Sequence, residues 1–438
     1  MSDAAAQVVD LREAIEIVLG EALELHAAGA HVLDVERVGL LESAGRVLAE
    51  EIVADRDQPP FDRATRDGFA VRAEEWGAGK RLRMVGQVRA GEAWSGAALK
   101  SGEVVEIMTG AAVPEGVDAV AMVEHAEVDA GEVWAAAGRA LRTGENVVAC
   151  GSEARRGDVL LSVGTTMSAA EIALAAACGY AEVAVFVRPS VAIAATGDEL
   201  VDIDETPGLQ QIRNSNGYAL AALVANAGGD ARRLKIARDT REELRARIEE
   251  VRSCDLLLLS GGVSAGKYDL VEEVLAEFDA EFFFTGVKMQ PGRPVVFGRL
   301  QRVSESASQQ VSETANRQEG KKASEREWMY FFGLPGNPVS TEVTFHCFVG
   351  PMLRALCGAG VAGPRFVRAT LGEEVRAKEG LTRFLPARLT NDFERPEVRL
   401  VRWQGSGDLA ANARADCYAV LPDGQELHVG DVITVLLR

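Results

Sequence analysis

The apolar positions between residues 188 and 357 follow a pattern that sets this stretch apart from the rest of the chain. Wholly apolar runs, such as VAIAAT (residues 191–196) and DLLLLS (residues 255–260), alternate with helical patterns. Strands that are apolar on both faces are typical of a parallel sheet that is covered by helices on each side. We therefore predict a doubly wound α/β domain, whose ligands bind beyond the carboxyl ends of the strands.

The segments on either side of this domain have shorter apolar runs. From about residue 53 to 143, β-like runs are separated by Gly and Pro turns and show no helical period, which predicts a separate β-rich domain. The chain after residue 364 has the same character and predicts a terminal β-domain. Residues 301–327 are polar and separate two strand-like runs, so we predict a disordered insertion within a hairpin.

Two predicted helices outside the α/β region have recognisable capping residues. Asp10 with Glu13 starts the first, which we expect to stop at Gly20 and to pack against a part of the chain that is distant in sequence. Ser168 with Glu171 starts the second, which is expected to end before residue 179.

Composition and charge narrow the range of functions. The 438 residues carry a net charge of −19, which argues against nucleic acid as a partner because nucleic-acid-binding proteins need basic faces. The N-terminus lacks the basic segment of a signal peptide, and no apolar run reaches the ~18–20 residues of a membrane helix, so we expect a cytoplasmic protein without a membrane partner. The six cysteines form no C-x-x-C pair, and we expect buried, reduced thiols.

Acids and glycines follow the predicted strands of the α/β domain. Glu199 lies just beyond VAIAAT, where a carboxylate can bind Mg²⁺ that neutralises phosphate, although an acid there also suits a helix N-terminus. DLLLLS runs into GGVSAGKYD, in which Gly261 and Gly262 let the backbone approach a ligand and the next helix points N–H groups at an anion. Asp269 in this loop and Asp239 in an earlier loop could equally be ordinary helix caps.

A third loop, GLPGNPVS, precedes the last predicted helix of the α/β domain. Pro338 is predicted to occupy the first helical position behind Asn337 as the cap, and Pro335 stiffens the turn. Ser340 lies in the first turn, where its hydroxyl and backbone donors could meet an anion. Upstream, the rigid turn QPGRP presents Arg293, whose guanidinium suits an oxyanion.

Two loops of the β-rich domain are further candidates. PPFDRATRDGFAV contains Asp67, and EIMTGAAVPEGVDAV contains Thr109, each beside a glycine. Either loop alone could be an ordinary turn. Their occurrence together with the three α/β loops makes them candidates for the same site.

The seven motifs PPFDRATRDGFAV, EIMTGAAVPEGVDAV, ATGDEL, GGVSAGKYD, QPGRP, GLPGNPVS and WQGSG together resemble the molybdopterin molybdenumtransferase family, in the same order and over nearly the whole chain. The resemblance implies an enzyme that receives adenylylated molybdopterin, inserts molybdate at its dithiolene and releases AMP, with Mg²⁺ required. It also implies an elongated homodimer, in which the active cleft forms between the α/β domain of one subunit and the β-rich domain of the other. An adenylyltransferase and molybdoenzymes are the further partners that it implies.

With the resemblance, the chain divides into four predicted units. Residues 1–53 and 145–186 form an N-terminal helix with a discontinuous connecting and dimerisation subdomain, and residues 54–144 form the β-rich domain. Residues 187–360 form the α/β molybdopterin-binding domain, and residues 361–438 a small C-terminal β-barrel.

The resemblance also implies roles for individual residues. The implied catalytic residues are Asp67, Thr109, Glu199, Asp239 and Asp269. The implied metal ligands are Glu199, Asp67, Asp269 and Glu153. The implied substrate-binding residues are Gly261, Gly262, Ser264, Asn216, Arg293, Pro335, Gly336, Asn337, Pro338, Ser340, Arg383 and Ser406. We predict that the carboxylates position the metal while Arg293 and Arg383 hold the oxyanion, without a His, Cys or Ser nucleophile.

Several positions differ from the family's motifs. Glu153 stands where the family has an aspartate, which lengthens the side chain by one methylene. Arg293 replaces a lysine and keeps its charge, whereas Gln290 stands where a lysine is frequent. Asn214 occupies a position that is often aspartate.

Two other functions are compatible with parts of the sequence. The related adenylyltransferase shares the glycine-containing α/β loop but consists essentially of the α/β domain alone, so the two extra β-domains favour the molybdenumtransferase. A scaffold is the second alternative, with residues 301–327 as a docking segment, but this segment lacks the apolar anchors of a binding motif.

Overall fold

The computed structural model describes residues 7–27, 33–77, 79–262, 270–303, 327–376, 379–390 and 392–438. Its helices, numbered in chain order, are α1 (Leu11–Ala27), α2 (Ala169–Ala177), α3 (Ser215–Asn226), α4 (Arg241–Glu250), α5 (Leu270–Ala276), α6 (Pro338–Thr344), α7 (Gly350–Leu356) and α8 (Leu409–Arg414). A π-helical turn, Phe345–Val349, joins α6 to α7, and 3₁₀ turns lie at Leu40–Ser43, Ala73–Glu75 and Val123–His125. No helix in these ranges is long and apolar enough to cross a membrane.

The central sheet lies in the α/β region. In spatial order its strands are Asp230–Arg233, Ser190–Ala195, Leu256–Ser260, Trp328–Leu334, Val296–Gln301 and Glu281–Phe284. The first four strands are parallel, Val296–Gln301 runs antiparallel to them, and Glu281–Phe284 runs antiparallel to Val296–Gln301. The predicted α/β fold is confirmed, but the sheet is mixed at one edge because the strands on either side of the polar insertion pair as a hairpin.

Alternate residues of the buried strands explain why both faces of this sheet are covered. Leu256 and Leu258 pack in one apolar cluster with α1, α3, α6 and α7. Leu257 and Leu259 pack in another with α4 and α5. Successive side chains of a strand point to opposite faces, so a run of four leucines requires a helical layer on each side.

Helix α1 is longer than the sequence pattern predicted. It continues through Gly20 to Ala27, so the predicted stop at Gly20 is wrong. Ala14, Val18 and Ala22 recur every four residues on one face, are fully buried and join the core of the α/β domain. This packing, which includes α7, outweighs the roughly 1 kcal/mol that an interior glycine costs a helix.

The β-rich domain is a second six-stranded sheet. Its strands, in spatial order, are Ala119–Met122, Gly68–Val71, Glu103–Ile107, Leu82–Val88, Glu132–Ala135 and Ala126–Asp129. Short antiparallel pairs lie beside it: Val35–Gly39 with Glu182–Phe186, Ile52–Val53 with Val159–Leu161, and Arg63–Ala64 with Val147–Val148. Helix α2 begins at the predicted capping box of Ser168 and Glu171.

The C-terminal region forms a closed five-stranded barrel, as predicted. Its strands, in order around the ring, are Thr382–Leu389, Glu397–Leu400, Phe366–Leu371, Val432–Leu437 and Cys417–Leu421, and the last pairs again with the first. Two-residue pairs complete the strands: Val8–Val9 with Gly286–Val287, Leu200–Val201 with Ile212–Arg213, and Val375–Arg376 with Glu426–Leu427.

The cysteines only partly follow the expectation of buried thiols. Five of the six are buried, and Cys150 is exposed.

Candidate active site

A cleft of about 560 Å³ lies where the central sheet meets the C-terminal barrel. The QPGRP turn, the GLPGNPVS loop, the strand Thr382–Leu389 and the WQGSG loop line it. Six of the predicted binding residues contribute to its wall: Arg293, Pro335, Asn337, Ser340, Arg383 and Ser406. We call it the active-site cleft. Folding of a single chain therefore brings together residues that are up to 113 positions apart, from 293 to 406.

Backbone hydrogen bonds across the domain boundary fix the shape of this cleft. The short strand Met289–Gln290 pairs in parallel with Thr382–Arg383 of the barrel. The amide of Val339, in the first turn of α6, donates to the carbonyl of Ser406 at 3.0 Å. The barrel is thus attached to the α/β domain on both sides of the cleft.

Two polar atoms in the wall are buried and lack a protein partner. Arg383 Nε donates to no acceptor among the described residues, although its Nη1 lies 3.3 Å from the carbonyl oxygen of Arg376. Gln290 Oε1 is also without a donor there. A buried polar atom left unpaired costs ~1–3 kcal/mol, so an oxyanion that accepts from Arg383 would relieve that cost. The amide of Gln290 can turn its NH₂ group towards the same anion, because its two orientations are nearly isosteric.

Arg293 completes the cationic part of the cleft. Its side chain is exposed and makes no ion pair with any residue that the structure describes. Asn337 caps α6 through its backbone, and Pro338 takes the first helical position, as predicted. The N-terminal turn of α6, which carries Ser340, therefore lies at the edge of this cleft.

Asn216 lies beside the GLPGNPVS loop, and its side chain is hydrogen-bonded to other residues of the protein. Its Nδ2 lies 2.7 Å from the carbonyl oxygen of Gly336, 3.1 Å from Ser260 Oγ and 3.2 Å from Thr341 Oγ1. These contacts tie the ends of two neighbouring strands to the start of α6. Asn216 is thus placed to position the loop, a role that the sequence alone did not indicate.

Asn214, which stands at a position that is often aspartate in the family, is the N-cap of α3. Its Oδ1 accepts from the amide of Gly217 at 2.9 Å. Asn and Asp cap helices about equally well. The difference from the family therefore leaves the helix cap intact.

The first glycine after DLLLLS is required by the neighbouring strand. Gly261 has φ +93°, and a Cβ there would lie 2.4 Å from the carbonyl oxygen of Thr196. Gly262, with φ +69°, is similarly crowded by the Thr196 methyl group. Close packing of strand ends thus explains both glycines. Ser264 and Asp269, which follow in the same loop, lie outside the described residues.

Two predicted acids lie at the end of the strand Ser190–Ala195. Thr196 Oγ1 donates to Asp239 Oδ1 at 2.5 Å, so a threonine that sequence reasoning missed orients this carboxylate. Glu199 is exposed three residues beyond Thr196. Both carboxylates are therefore accessible at the edge where a doubly wound sheet binds its ligand.

Asp67, the predicted catalytic acid of the β-rich domain, is hydrogen-bonded to Thr109 of the same domain. Asp67 Oδ1 accepts from the amide of Thr109 at 2.6 Å and from its hydroxyl at 2.7 Å. The hydroxyl contact, followed by the amide contact, lowers the pKa of Asp67 below its usual value, although the side chain is exposed. No hydrogen bond or ion pair between described residues joins this pair to the α/β domain.

Glu153, the remaining predicted metal ligand, is engaged in an ion pair. Arg63 Nη2 donates to its Oε1 at 3.0 Å, and both side chains are partly exposed. A metal would have to compete with this arginine for the carboxylate.

The number of these acids that lie close together decides whether they could bind Mg²⁺. No group of three or more His, Cys, Asp or Glu side chains within the described ranges is close enough to hold a metal ion. Mg²⁺ usually binds through one or two carboxylates, several waters and the phosphates of a substrate. Glu199 and Asp239, both exposed at one strand end, suit that mode of binding.

Fold and cleft together define a multidomain α/β protein with a cleft, lined by two arginines, between its central sheet and its barrel. Comparison with known proteins agrees with this class. The family models for the MoeA N-terminal region (domain I and II), a probable molybdopterin binding domain and the MoeA C-terminal region (domain IV) match residues 9–179, 192–355 and 368–437.

Relatives of known name match over most of their length. The molybdopterin molybdenumtransferase of Staphylococcus aureus (strain Mu50) is 32% identical over 91% of this chain and 90% of its own, and that of Staphylococcus epidermidis (strain RP62A) is 30% identical over 98% and 95%. A crystal structure of a molybdopterin biosynthesis MoeA protein from Pyrococcus horikoshii has 31% identity and a TM-score of 0.66, and covers 98% of this chain and 99% of its own. The chain belongs to the molybdopterin molybdenumtransferase (MoeA) family and is a transferase.

Proposed function

We propose that this enzyme inserts molybdate into adenylylated molybdopterin and releases AMP, in a Mg²⁺-dependent reaction that yields the molybdenum cofactor. The observation that carries the proposal is the active-site cleft, in which five other residues implied by the family motifs share the wall with Arg383, whose Nε has no partner among the described residues. The relatives that match 91% and 98% of the chain are named molybdopterin molybdenumtransferase, which supports the proposal.

In this proposal the cleft holds the oxyanion. Arg383 donates from Nε, and Arg293 contributes a second guanidinium whose planar fork matches the oxygens of a tetrahedral anion. The hydroxyls of Ser340 and Ser406 offer further donors in the same wall. Against a chain with a net charge of −19, these few fixed cations and donors provide the local attraction that an anionic substrate needs.

The carboxylates have a different task. Glu199, Asp239 and Asp67 are proposed to hold Mg²⁺, which would neutralise the pyrophosphate oxygens of the adenylylated pterin. Thr196 fixes the orientation of Asp239, and Thr109 fixes that of Asp67, so neither acid has to reorganise when the substrate binds.

We further propose that the enzyme acts as a homodimer. Asp67 and Thr109 are exposed and make no hydrogen bond or ion pair with the α/β domain in the part of the chain that the structure describes. A site that needs both halves is then completed by the β-rich domain of a second subunit. The proposal also places the enzyme in the cytoplasm, between an adenylyltransferase that supplies its substrate and the molybdoenzymes that receive its product.

The test is anaerobic mixing of the protein with adenylylated molybdopterin, Mg²⁺ and molybdate, followed by quantification of AMP. We expect molybdate-dependent AMP release that Asp67→Ala and Glu199→Ala abolish while the fold remains intact. Normal turnover in both variants would remove these carboxylates from the mechanism. Consumption of ATP with unmodified molybdopterin, without any need for molybdate, would instead favour an adenylyltransferase.

A further inference from the structure

A second cleft, of about 620 Å³, lies on the opposite face of α6 from the active-site cleft. Ser340 of α6 lines the active-site cleft, whereas Glu342 and, one turn further on, His346 line this one. Residues two apart on a helix point in roughly opposite directions, so α6 and the turn after it form a wall of both clefts. We call the second one the arginine cleft, after Arg46, Arg188, Arg354, Arg365 and Arg438 in its wall.

The charge of the arginine cleft is opposite to that of the whole chain. Its wall contains five arginines and one acid, Glu342, a formal sum of +5 − 1 = +4, while the chain carries −19. A local excess of cationic groups in an acidic protein concentrates anions at that place. The arginine cleft is therefore suited to an anionic ligand and unsuited to a cation.

The acid in the wall does not cancel this charge, because it is already paired. Glu342 Oε1 accepts from Arg438 Nε at 2.6 Å, and its Oε2 accepts from Asn412 Nδ2 at 2.5 Å. Burial opposes ionisation of Glu342, but the contacts with His346, Arg438 and Asn412 prevail and lower its pKa. One arginine and the acid thus form a closed group between α6 and the C-terminus of the chain.

Three of the remaining arginines have no such partner. Arg188, Arg354 and Arg365 form no ion pair with any residue in the described ranges, whereas Arg46 is held by Glu36 at 2.5 Å. His346 Nε2 is buried and has no hydrogen-bond partner there; it lies 3.6 Å from Glu342 Oε1, beyond hydrogen-bonding distance. The arginine cleft thus contains three guanidinium groups that form no ion pair among the described residues, and such groups recognise phosphate.

The rest of the wall indicates that the anion is part of a larger organic molecule. Phe186, Leu223, Phe345, Pro351 and Pro364 line the same space. A volume of about 620 Å³ falls within the ~300–1,000 Å³ of small-molecule sites, and an inorganic anion would leave the apolar part of the cleft unfilled. A flat apolar ring joined to a phosphate matches both parts of the wall.

We propose that the arginine cleft binds a nucleoside monophosphate, at a site separate from the active-site cleft. The phosphate contacts Arg354 and Arg365, and the base packs on the partly exposed apolar side chains of the wall, Leu223 and Pro364. Binding requires neither molybdate nor pterin, so it can be measured independently of the transferase reaction.

The experiment is calorimetric titration of the full-length protein with AMP. We expect the double variant Arg354→Ala/Arg365→Ala to lose one class of AMP sites, with affinity falling at least about tenfold. Arg139→Ala, which removes an exposed arginine of the β-rich domain, is the matched control and should bind like the unmodified protein. Arg383→Ala, which alters the active-site cleft, should retain this class of sites.

Two further measurements test which part of the ligand, and which property of the arginines, the binding depends on. Adenosine should bind at least tenfold more weakly than AMP, and inorganic phosphate should also bind more weakly, because each fills only part of the wall. The double variant Arg354→Lys/Arg365→Lys should fall between the unmodified protein and the alanine variant, since lysine keeps the charge but not the fork. Unchanged AMP binding by the alanine variant would overturn the proposal, as would adenosine or phosphate binding as tightly as AMP.

Discussion

The active-site cleft and the Asp67–Thr109 pair differ in how far a single chain completes them. The cleft brings six predicted residues together and leaves the buried Nε of Arg383 unpaired, so its need is for a ligand. The pair is exposed, and its hydrogen bonds are made within the β-rich domain, so under the proposed function a second subunit completes its surroundings. Under the proposed function the cleft binds the anion and Asp67 helps to hold the metal, so each contribution can be impaired alone.

The strongest test of this comparison combines one substitution in the Asp67–Thr109 pair with one in the active-site cleft. Asp67→Ala and Arg383→Ala should each reduce molybdate-dependent AMP release by about 100-fold or more, because the first removes a proposed Mg²⁺ ligand and the second removes a cation that faces the oxyanion. If Asp67 of one subunit acts with Arg383 of the other, a mixed dimer of the two variants keeps one intact site. Coexpression should then restore roughly a quarter of the original activity, since about half of randomly formed dimers are mixed.

The control for Asp67→Ala is Asp129→Ala, which removes an exposed acid from the same sheet and should leave the rate unchanged. If the coexpressed variants were as inactive as either parent, the residues would act within one subunit, and the proposed division of the site between subunits would fail.

A second prediction concerns the kinetic signature of Arg383. Its loss should raise the KM for molybdate by about 10- to 100-fold and change the KM for the adenylylated pterin less, because the guanidinium faces the oxyanion. Arg388→Ala is the control on the same strand, since Arg388 is exposed and its one ion pair among the described residues is with Asp416. Equal effects of Arg383→Ala on both substrates would assign the residue to the general shape of the cleft.

Gln290 offers a gain of function in the same cleft. Gln290→Lys replaces a buried oxygen that has no donor among the described residues by a cation, and should tighten molybdate binding about tenfold. Gln290→Met, of similar size and uncharged, is the matched control and should not tighten binding. Unchanged or weaker binding by the lysine variant would show that residue 290 does not face the anion.

The sequence predicted the elements that depend on local pattern but not those that depend on contacts between distant segments. Apolar strands such as Leu256–Ser260 and the capping box of Ser168 and Glu171 depend on local pattern, and both were predicted. The continuation of α1 past Gly20 depends on packing against α7, which no local pattern contains.

Within the site, motifs identified which residues matter but not what each contacts. Asn216 was predicted to bind substrate, yet its amide contacts Ser260, Gly336 and Thr341. Thr196, which orients Asp239, gave no signal of its own, because a threonine at a strand end is common. Such roles arise from contacts between segments that are far apart in sequence.

The smallest predicted effect is that of Thr109→Ala, which distinguishes how the ionisation of Asp67 and its position each affect the rate. The Thr109 hydroxyl and amide lower the pKa of Asp67, so the ionised form persists to more acidic pH and is lost only as pH falls through that lowered pKa. Thr109→Ala removes the hydroxyl and keeps the amide; the pKa should therefore rise towards 3.8, and the acid limb of the pH–rate profile should move to higher pH. At pH 7 Asp67 is ionised in both forms, so a loss of about threefold there measures positioning by one hydrogen bond. Thr109→Ser, which keeps the hydroxyl, should restore the position of the acid limb. An acid limb that is the same in all three proteins would mean that a group other than Asp67 controls it.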